Sequence, residues 1–181
     1  HTRELEKMFL FIIEYKVIGL RGLKTGFRKP GSVFRSTFAD LQASPLHIAL
    51  VGNPNSGKSS LFNCLTGMNQ QVGNFPGVTV DKTIGRFKAG ELNIDAIDLP
   101  GTYSLYPKRM DEWVSYRVVI GDDESFRPNL VVAVVDASNL KRNLLLATQL
   151  IDLSVPVVIA LTMMDLARKK GIQIDIPALE R

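Results

Sequence analysis

One eight-residue segment constrains the fold of this chain more than any other. It covers residues 52–59, has the sequence GNPNSGKS and fits the pattern GxxxxGK followed by Ser or Thr. The apolar run before it, residues 46–51, predicts a buried strand, and the run after it, residues 58–66, predicts a helix. In that context the glycines let backbone N–H groups point at a polyphosphate, and the helix N-terminus adds partial positive charge. The segment therefore predicts a phosphate-binding loop inside an α/β domain.

The composition fits one domain of ordinary size. Hydrophobic residues make up 45% of the 181 positions, which is enough for a core. Cys64 is the only cysteine, so an intrachain disulfide is excluded and a reduced compartment fits best. No run approaches the roughly 18 apolar residues that a membrane helix needs. The sequence begins with His1 rather than a methionine, and we expect it to be a fragment of a longer protein.

Charge is unevenly distributed along the chain. Residues 1–45 contain eight Lys or Arg against four Asp or Glu, a net charge of +4, whereas residues 46–181 contain fourteen of each sign. We therefore divide the chain into a basic N-terminal extension of uncertain structure, residues 1–45, and a domain, residues 46–181. A solvated extension is the simpler interpretation of the basic segment, and attraction to anionic lipid or to another domain is the alternative.

From residue 46 onward, short β-branched runs alternate with helical patterns. This alternation predicts a mostly parallel sheet with crossover helices on both faces. The exception is a hairpin of two strands joined by a short turn, which makes one strand antiparallel. The hairpin strands are predicted at 80–88 and 92–98, two further strands at 130–135 and 157–161, and a helix at 111–120.

The spacing of apolar residues predicts which side chains the helices bury. In the helix at 58–66, Leu61, Phe62 and Leu65 have core spacing, and Cys64 is expected to face the interior. The helix that follows residues 130–135 is expected to direct a stripe inward, consisting of Leu140, Leu144, Ala147 and Ile151.

The phosphate-binding loop and a second box predict a metal-assisted polyphosphate site. Lys58 is placed to reach the β- and γ-phosphates, and the Ser59 hydroxyl to bind Mg²⁺. The sequence DLPG ends a predicted strand about 40 residues later. Its Asp98 matches the acidic residue that holds Mg²⁺ through water, and Gly101 offers a backbone N–H to the γ-phosphate.

A loop between these boxes predicts a switch. Residues 68–79, rich in Asn, Gln, Gly and Pro, are too many for a simple connection, and such loops are usually functional or mobile. Thr79 lies where a hydroxyl would join Mg²⁺ only when the γ-phosphate is present. Loss of that phosphate would then release the loop.

The choice of base depends on TMMD, residues 162–165, at the end of a predicted strand. The carboxylate of Asp165 can accept hydrogen bonds from both N1–H and the 2-amino group of guanine, a pair of donors that adenine lacks. Many GTPases have Asn first in this box, whereas this chain has Thr162, which keeps a polar side chain but loses the amide. Met163 either lies against the purine ring or packs in the core.

Four segments together resemble one family. GNPNSGKSSLFN at 52–63, VGNFPGVTV at 72–80, DLPGTYSL at 98–105 and VVDASNLKRNLLL at 134–146 occur in the order and spacing of the G domains of FeoB ferrous iron transporters. The resemblance covers residues 47 to about 176 and implies a P-loop NTPase fold of the Ras-like type. The chain departs from the family at Thr162, in residues 1–45, and in ending before the last base-contacting loop.

The resemblance implies GTP and GDP as ligands, with Mg²⁺ and K⁺ as cofactors. Magnesium would be held by Ser59, Thr79 and Asp98, and potassium by Asn55, the second asparagine of the loop. Catalytic roles are implied for Asn55, Lys58, Thr79 and Gly101. Nucleotide contacts are implied for Gly52, Asn53, Pro54, Asn55, Ser56, Gly57, Lys58, Ser59, Ser60, Gly77, Val78, Thr79, Asp98, Gly101, Thr162, Met163 and Asp165.

The family further implies a slow GTPase that regulates ferrous iron uptake. Thr102 follows Gly101 where Ras-like enzymes have the glutamine that orients water, so unaided hydrolysis should be weak. The implied partner is a membrane-embedded transport domain of the same full-length chain, at the cytoplasmic face of the bacterial inner membrane. No nucleic-acid partner is implied, and homo-oligomerisation stays open.

Two alternatives remain at the level of sequence. A soluble GTPase of ribosome or tRNA maturation shares the GxPNxGKS loop, and a multipass membrane segment in the full-length gene would exclude it. The other alternative is a nucleotide-gated binding module whose hydrolysis is incidental, which single-turnover kinetics in potassium buffer would distinguish.

Overall fold

A six-stranded sheet forms the centre of the described part of the chain, in the spatial order β2-β3-β4-β1-β5-β6. The computed structural model describes residues 45–68, 70–75, 79–90, 92–122, 126–153 and 156–179. The strands are β1 (Leu46–Gly52), β2 (Gln70–Asn74), β3 (Asp81–Ala89), β4 (Leu92–Asp98), β5 (Leu130–Asp136) and β6 (Val157–Thr162). β1 pairs in parallel with both β4 and β5, and β5 pairs in parallel with β6. β3 is antiparallel to both of its neighbours, as predicted for one strand of the sheet.

Helices cover both faces of this sheet. They are α1 (Lys58–Thr66), α2 (Met110–Val119), α3 (Leu140–Asp152), α4 (Met164–Lys169) and α5 (Ile176–Leu179), with a 3₁₀ turn at Ala137–Asn139 before α3. None of the helices in the described ranges is long and apolar enough to cross a membrane. The order of elements and the layers confirm the predicted α/β architecture of a P-loop NTPase.

The sheet separates two apolar cores. Alternate residues of β1 point to opposite faces, so Ile48 and Leu50 belong to the core under α1, whereas Ala49 and Val51 belong to the core under α2 and α3. Burial on both faces explains why β1, β5 and β6 have nearly continuous apolar sequences. In the α1 core, Phe62 is only 1% exposed.

α1 packs closely on the sheet at Gly85 of β3. A Cβ atom at this position would overlap the methyl group of Thr66 and lie 3.0 Å from Phe62 Cζ. Neither contact is relieved by a simple rotation, because both partners are themselves buried. The absence of a side chain at position 85 therefore allows α1 to approach the sheet.

The prediction of a loop over residues 68–79 was wrong in part, because it contains β2. The sequence of β2 is QQVGN, four of its five residues are exposed, and it pairs only with β3 at the edge of the sheet. An exposed edge strand needs no alternation of apolar and polar residues, so β2 is a strand because its main chain is hydrogen-bonded to β3. Gln70 also donates a side-chain hydrogen bond to Asn63 Oδ1 of α1.

Two predictions of buried side chains were also wrong. Cys64 is exposed, since α1 buries Leu61, Phe62 and Thr66 on the other side of the helix. Ile151 is 54% exposed. The inward face of α3 instead follows the spacing i, i+3, i+4, i+7 from Asn143, with the buried set Asn143, Leu146, Ala147 and Leu150.

Candidate functional site

The loop between β1 and α1 has a backbone path that requires glycine. A Cβ atom on Gly52 would lie 2.7 Å from the carbonyl oxygen of Val134 and 2.8 Å from Ser56 Oγ. Gly57 has φ +81° and Asn55 has φ +62°, both in the left-handed region. Ser56 N–H donates to Asn53 O at 3.1 Å and closes the turn. This loop is a tight concave turn directly before a helix N-terminus, the geometry that suits a polyphosphate.

Three of the residues predicted to bind phosphate or Mg²⁺ lie together beside this loop. Lys58 is the first residue of α1, and Asp98 is the last residue of β4, whose neighbour in the sheet is β1. The Lys58 ammonium forms an ion pair with Asp98 Oδ1, and the Ser59 hydroxyl donates to Asp98 Oδ2 at 2.7 Å. The cluster therefore places an ammonium, a hydroxyl and a carboxylate at one end of the sheet.

The chemistry of this cluster fits Mg²⁺ bound together with a polyphosphate. Hydroxyl and carboxylate oxygens are ligands that Mg²⁺ prefers, and Mg²⁺ usually takes its remaining ligands from phosphates and water. Within the described ranges, no group of three or more His, Cys, Asp or Glu side chains could hold a metal ion. A cation at Ser59 and Asp98 would therefore depend on oxygens from a bound ligand.

The inner side of the loop carries polar side-chain atoms that suit a polar environment. Asn53 is 4% exposed and Ser56 is 2% exposed. Among the residues that the structure describes, Asn53 Oδ1 and Nδ2 and Ser56 Oγ are buried without a hydrogen-bond partner. By contrast, the predicted contacts Pro54, Asn55, Ser59 and Ser60 are exposed. The loop thus has buried polar groups behind it and an exposed rim.

The DLPG box lies directly against the phosphate-binding loop. A Cβ atom on Gly101 would be 3.1 Å from Cα of Pro54, which is closer than most Cβ contacts, so glycine favours this approach. The next residue, Thr102, donates its N–H to Gly52 O at 3.1 Å. Its hydroxyl is buried and donates to Ser104 O at 2.7 Å. The Thr102 hydroxyl is therefore engaged within its own segment.

Thr79 lies two residues before β3. It is exposed near the closed end of the β2–β3 hairpin, where Phe75 N–H donates to Val80 O at 3.0 Å. Within the described part of the chain, Thr79 makes no hydrogen bond to Ser59 or Asp98. The other predicted contacts of this loop, Gly77 and Val78, lie outside the described residues.

The base box is tied to the phosphate-binding loop by Thr162. This residue ends β6 and is 2% exposed, and its Oγ1 lies 2.6 Å from Ser56 O and 3.2 Å from Val135 O. Its one hydroxyl hydrogen can be donated to these carbonyls. Thr162 therefore connects the base box to the phosphate-binding loop.

The remaining residues of the base box lie at the start of α4. Met163 has φ +55° and is 37% exposed, and its Cε is 3.5 Å from the position that a Cβ on Gly57 would take. Asp165 is exposed in the first turn of α4. The structure thus brings the phosphate-binding loop, the DLPG box and the base box to the same end of the sheet, because each of them follows the carboxyl end of a parallel strand.

Comparison with known proteins agrees with this geometry. The family model described as "Ferrous iron transport protein B" matches residues 46–181. The chain belongs to the FeoB family. The Fe(2+) transporter FeoB of Escherichia coli K12 is 46% identical over an alignment of 138 residues, which covers 74% of this chain and 17% of that protein. The chain thus spans about a sixth of the length of the curated FeoB relatives it matches.

Solved FeoB structures share the fold. The G domain of T. maritima FeoB has a TM-score of 0.68 at 39% identity, over 76% of this chain and 81% of that one. The cytosolic domain of L. pneumophila FeoB has a TM-score of 0.66 at 48% identity, over 71% and 50% of the two chains. A mutant of S. thermophilus NFeoB, solved bound to GDP, has a TM-score of 0.65 at 46% identity, over 72% and 49%.

Three side chains of this FeoB domain contact residues 100–105 without any signal in the sequence. Ser115 of α2 donates its hydroxyl to Pro100 O at 2.9 Å, and Gln149 of α3 accepts from Leu105 N–H at 2.8 Å. Arg142 is exposed, and its guanidinium lies over the ring of Tyr103, 4.2 Å from its centroid. Local spacing cannot reveal such contacts, because each joins distant parts of the chain.

Proposed function

We propose that this FeoB domain binds GTP and GDP and hydrolyses GTP slowly. One observation carries the proposal: Lys58, Ser59 and Asp98 converge on a glycine-dependent loop to which the base box is hydrogen-bonded. The S. thermophilus NFeoB relative bound to GDP supports guanine nucleotide as the ligand.

Base selection is assigned to Asp165. Its carboxylate is exposed at the start of α4, close in sequence to the Thr162 bridge that ties this region to the phosphate loop. A carboxylate can accept hydrogen bonds from the two adjacent donors of guanine, and adenine lacks this pair. Met163, partly exposed beside Gly57, is available to pack against a purine ring.

Discrimination between GTP and GDP is assigned to Thr79 and Gly101. Ser59 and Asp98 would hold Mg²⁺ with either nucleotide, and the ion would neutralise phosphate charge when bound. Thr79, exposed at the tip of the β2–β3 hairpin, would join this site only with the triphosphate. Gly101 already lies against the loop and would donate its N–H to the γ-phosphate.

We infer slow hydrolysis from the residue that follows Gly101. Thr102 follows Gly101, and its hydroxyl is buried and bonded to Ser104 O, so it does not offer the side chain that orients water in Ras-like enzymes. We assign a monovalent cation, K⁺, to Asn55, which is exposed on the rim of the loop with φ +62°. Its side-chain carbonyl is a hard oxygen ligand, and a cation there would offset charge on the transferred phosphate.

The biological role that fits these features is regulation of ferrous iron uptake. The curated relatives are Fe(2+) transporters in which the matching region is 17% of the length. We infer that residues 46–181 form the nucleotide-binding domain at the cytoplasmic face of the membrane, and residues 1–45 a basic extension. The transport domain of the same full-length chain would be its partner.

The test is nucleotide binding by wild type and by Asp165→Asn. Wild type should bind GDP and GTP analogues much more tightly than ADP or ATP analogues. Asp165→Asn should lose affinity for GDP and gain affinity for xanthosine diphosphate, whose 2-position is an acceptor. Asp152→Asn, an equal charge change at an exposed position of α3, is the control. Wild type without guanine preference, or unchanged GDP affinity in Asp165→Asn, would refute the assignment.

A further inference from the structure

One face of α3 holds the segment that follows Gly101. Gln149 Oε1 accepts a hydrogen bond from Leu105 N–H at 2.8 Å, and the Arg142 guanidinium lies 4.2 Å from the ring centroid of Tyr103. Arg142 and Gln149 are seven residues apart, about two helical turns, and so lie on the same side of α3. We call residues 101–105 the second switch segment.

The other end of the second switch segment is held by the phosphate-binding loop. Thr102 N–H donates to Gly52 O at 3.1 Å, and Gly101 is so close to Pro54 that a Cβ atom would be 3.1 Å from its Cα. Leu105 is 8% exposed and belongs to the core beneath α2 and α3. The position of the Gly101 N–H therefore depends on attachments at both ends of a five-residue segment.

The two attachments on α3 differ in strength. Leu105 is buried, so its N–H has few alternatives to Gln149 Oε1 as an acceptor. Arg142 and Tyr103 are both exposed, and a cation–π contact in water contributes less than a buried hydrogen bond. The contact with Gln149 should therefore dominate.

We propose that Gln149 is a positioning residue for the triphosphate: through Leu105 it holds Gly101 against the phosphate-binding loop, where the Gly101 N–H can meet the γ-phosphate. Arg142 assists through Tyr103. The proposal rests on the proposed function. Neither side chain is among the proposed nucleotide contacts, and GDP has no γ-phosphate, so Gln149 should affect triphosphate binding selectively.

The experiment compares Gln149→Leu with Gln149→Glu. Leucine has a similar volume without an acceptor, whereas glutamate keeps an acceptor oxygen for Leu105 N–H. We expect Gln149→Leu to bind a non-hydrolysable GTP analogue roughly tenfold more weakly, the factor for loss of about one hydrogen bond, with GDP affinity unchanged. Gln149→Glu should keep the wild-type ratio of the affinity for the GTP analogue to the affinity for GDP.

A pair of neighbouring variants gives a matched control on the same helix. Arg142→Ala should lower the ratio by roughly twofold to threefold. Lys141→Ala removes an equal charge from an exposed position that makes no hydrogen bond, ion pair or ring contact with the second switch segment within the described residues, and it should leave the ratio unchanged. Thermal unfolding, measured in parallel, tests whether each variant is folded.

The outcomes separate this proposal from the proposed function. Wild type that binds neither guanine nucleotide contradicts the proposed function. Wild type that binds both, together with an unchanged ratio in Gln149→Leu, contradicts only the positioning role. Equal losses for GDP and the GTP analogue, or failure of Gln149→Glu to restore the ratio, would likewise overturn it.

Discussion

Replacement of Thr162 by Val tests how the base box supports the phosphate-binding loop. The two side chains have nearly the same shape, so the change removes little more than the hydroxyl group. That hydroxyl lies 2.6 Å from Ser56 O and 3.2 Å from Val135 O, and Thr162 is 2% exposed. In Thr162→Val the carbonyl of Ser56 would lose a buried donor and face a methyl group.

The size of the effect follows from burial. A buried polar group that loses its partner costs about 1–3 kcal/mol. For a chain of this length, each kcal/mol lowers the midpoint of thermal unfolding by roughly 2–4 °C, so a loss of about 2 kcal/mol corresponds to roughly 4–8 °C. If about 1.4 kcal/mol of the cost falls on the loop, nucleotide affinity drops roughly tenfold.

The assay is thermal unfolding of the 181-residue chain together with GDP and GTP-analogue affinity. The affinities for GDP and for the GTP analogue should fall by the same factor, since Ser56 belongs to the phosphate-binding loop rather than to the γ-phosphate site. Thr162→Ser keeps the hydroxyl and should retain most of the affinity. A Thr162→Val protein with wild-type unfolding temperature and wild-type GDP affinity would refute the reasoning.

Three further predictions address the switch, the cation and the packing of α1. Thr79→Ala should bind GDP normally but should no longer be protected from protease by a GTP analogue. Ser59→Ala should bind both nucleotides more weakly. Protection that persists in Thr79→Ala would contradict the switch assignment. GTP turnover should be faster in potassium than in sodium chloride, and Asn55→Ala should abolish the difference; equal wild-type rates in the two salts, or a difference that survives the mutation, exclude this role. Gly85→Ala should cost about 1–3 kcal/mol of unfolding free energy, because its methyl group has no room beneath α1. Gly73→Ala in the exposed strand β2 has nothing within 4 Å and serves as the control in chemical denaturation.

The sequence predicted the elements whose residues must be apolar. β1, β5 and β6 are buried on both faces, so their composition alone identifies them as strands. β2 could not be found in this way, because it is an exposed edge strand determined by its hydrogen bonds to β3. Cys64 and Ile151 were misplaced because the face that a helix buries depends on its rotation against the sheet, which spacing limits but does not determine.

As with the fold, the sequence predicted the parts of the candidate site that depend on local residues and missed the contacts between residues far apart in the chain. The backbone path of a motif such as residues 52–59 is determined by the residues of the motif itself, so the approach of this loop to Asp98 was predictable. The bridge from Thr162 to Ser56 joins residues 106 positions apart, and the contact of Gln149 with Leu105 joins residues 44 apart. The sequence showed that Thr162 lacks the usual amide, but only the fold shows which carbonyl its hydroxyl meets.

The central position of β1 in the sheet has a consequence for folding order during synthesis. Of the described strands, β1 emerges from the ribosome first, yet its partners are β4 and β5, with Leu46 opposite Ile94 and Ile48 opposite Leu130. The hairpins β2–β3 and β3–β4 close over short distances and can form early, whereas β1 must wait for strands about 50 to 80 residues later. Gly52 in turn packs against Val134. A nascent chain that stops short of β5 therefore lacks one wall of its phosphate-binding loop, however well its hairpins have formed.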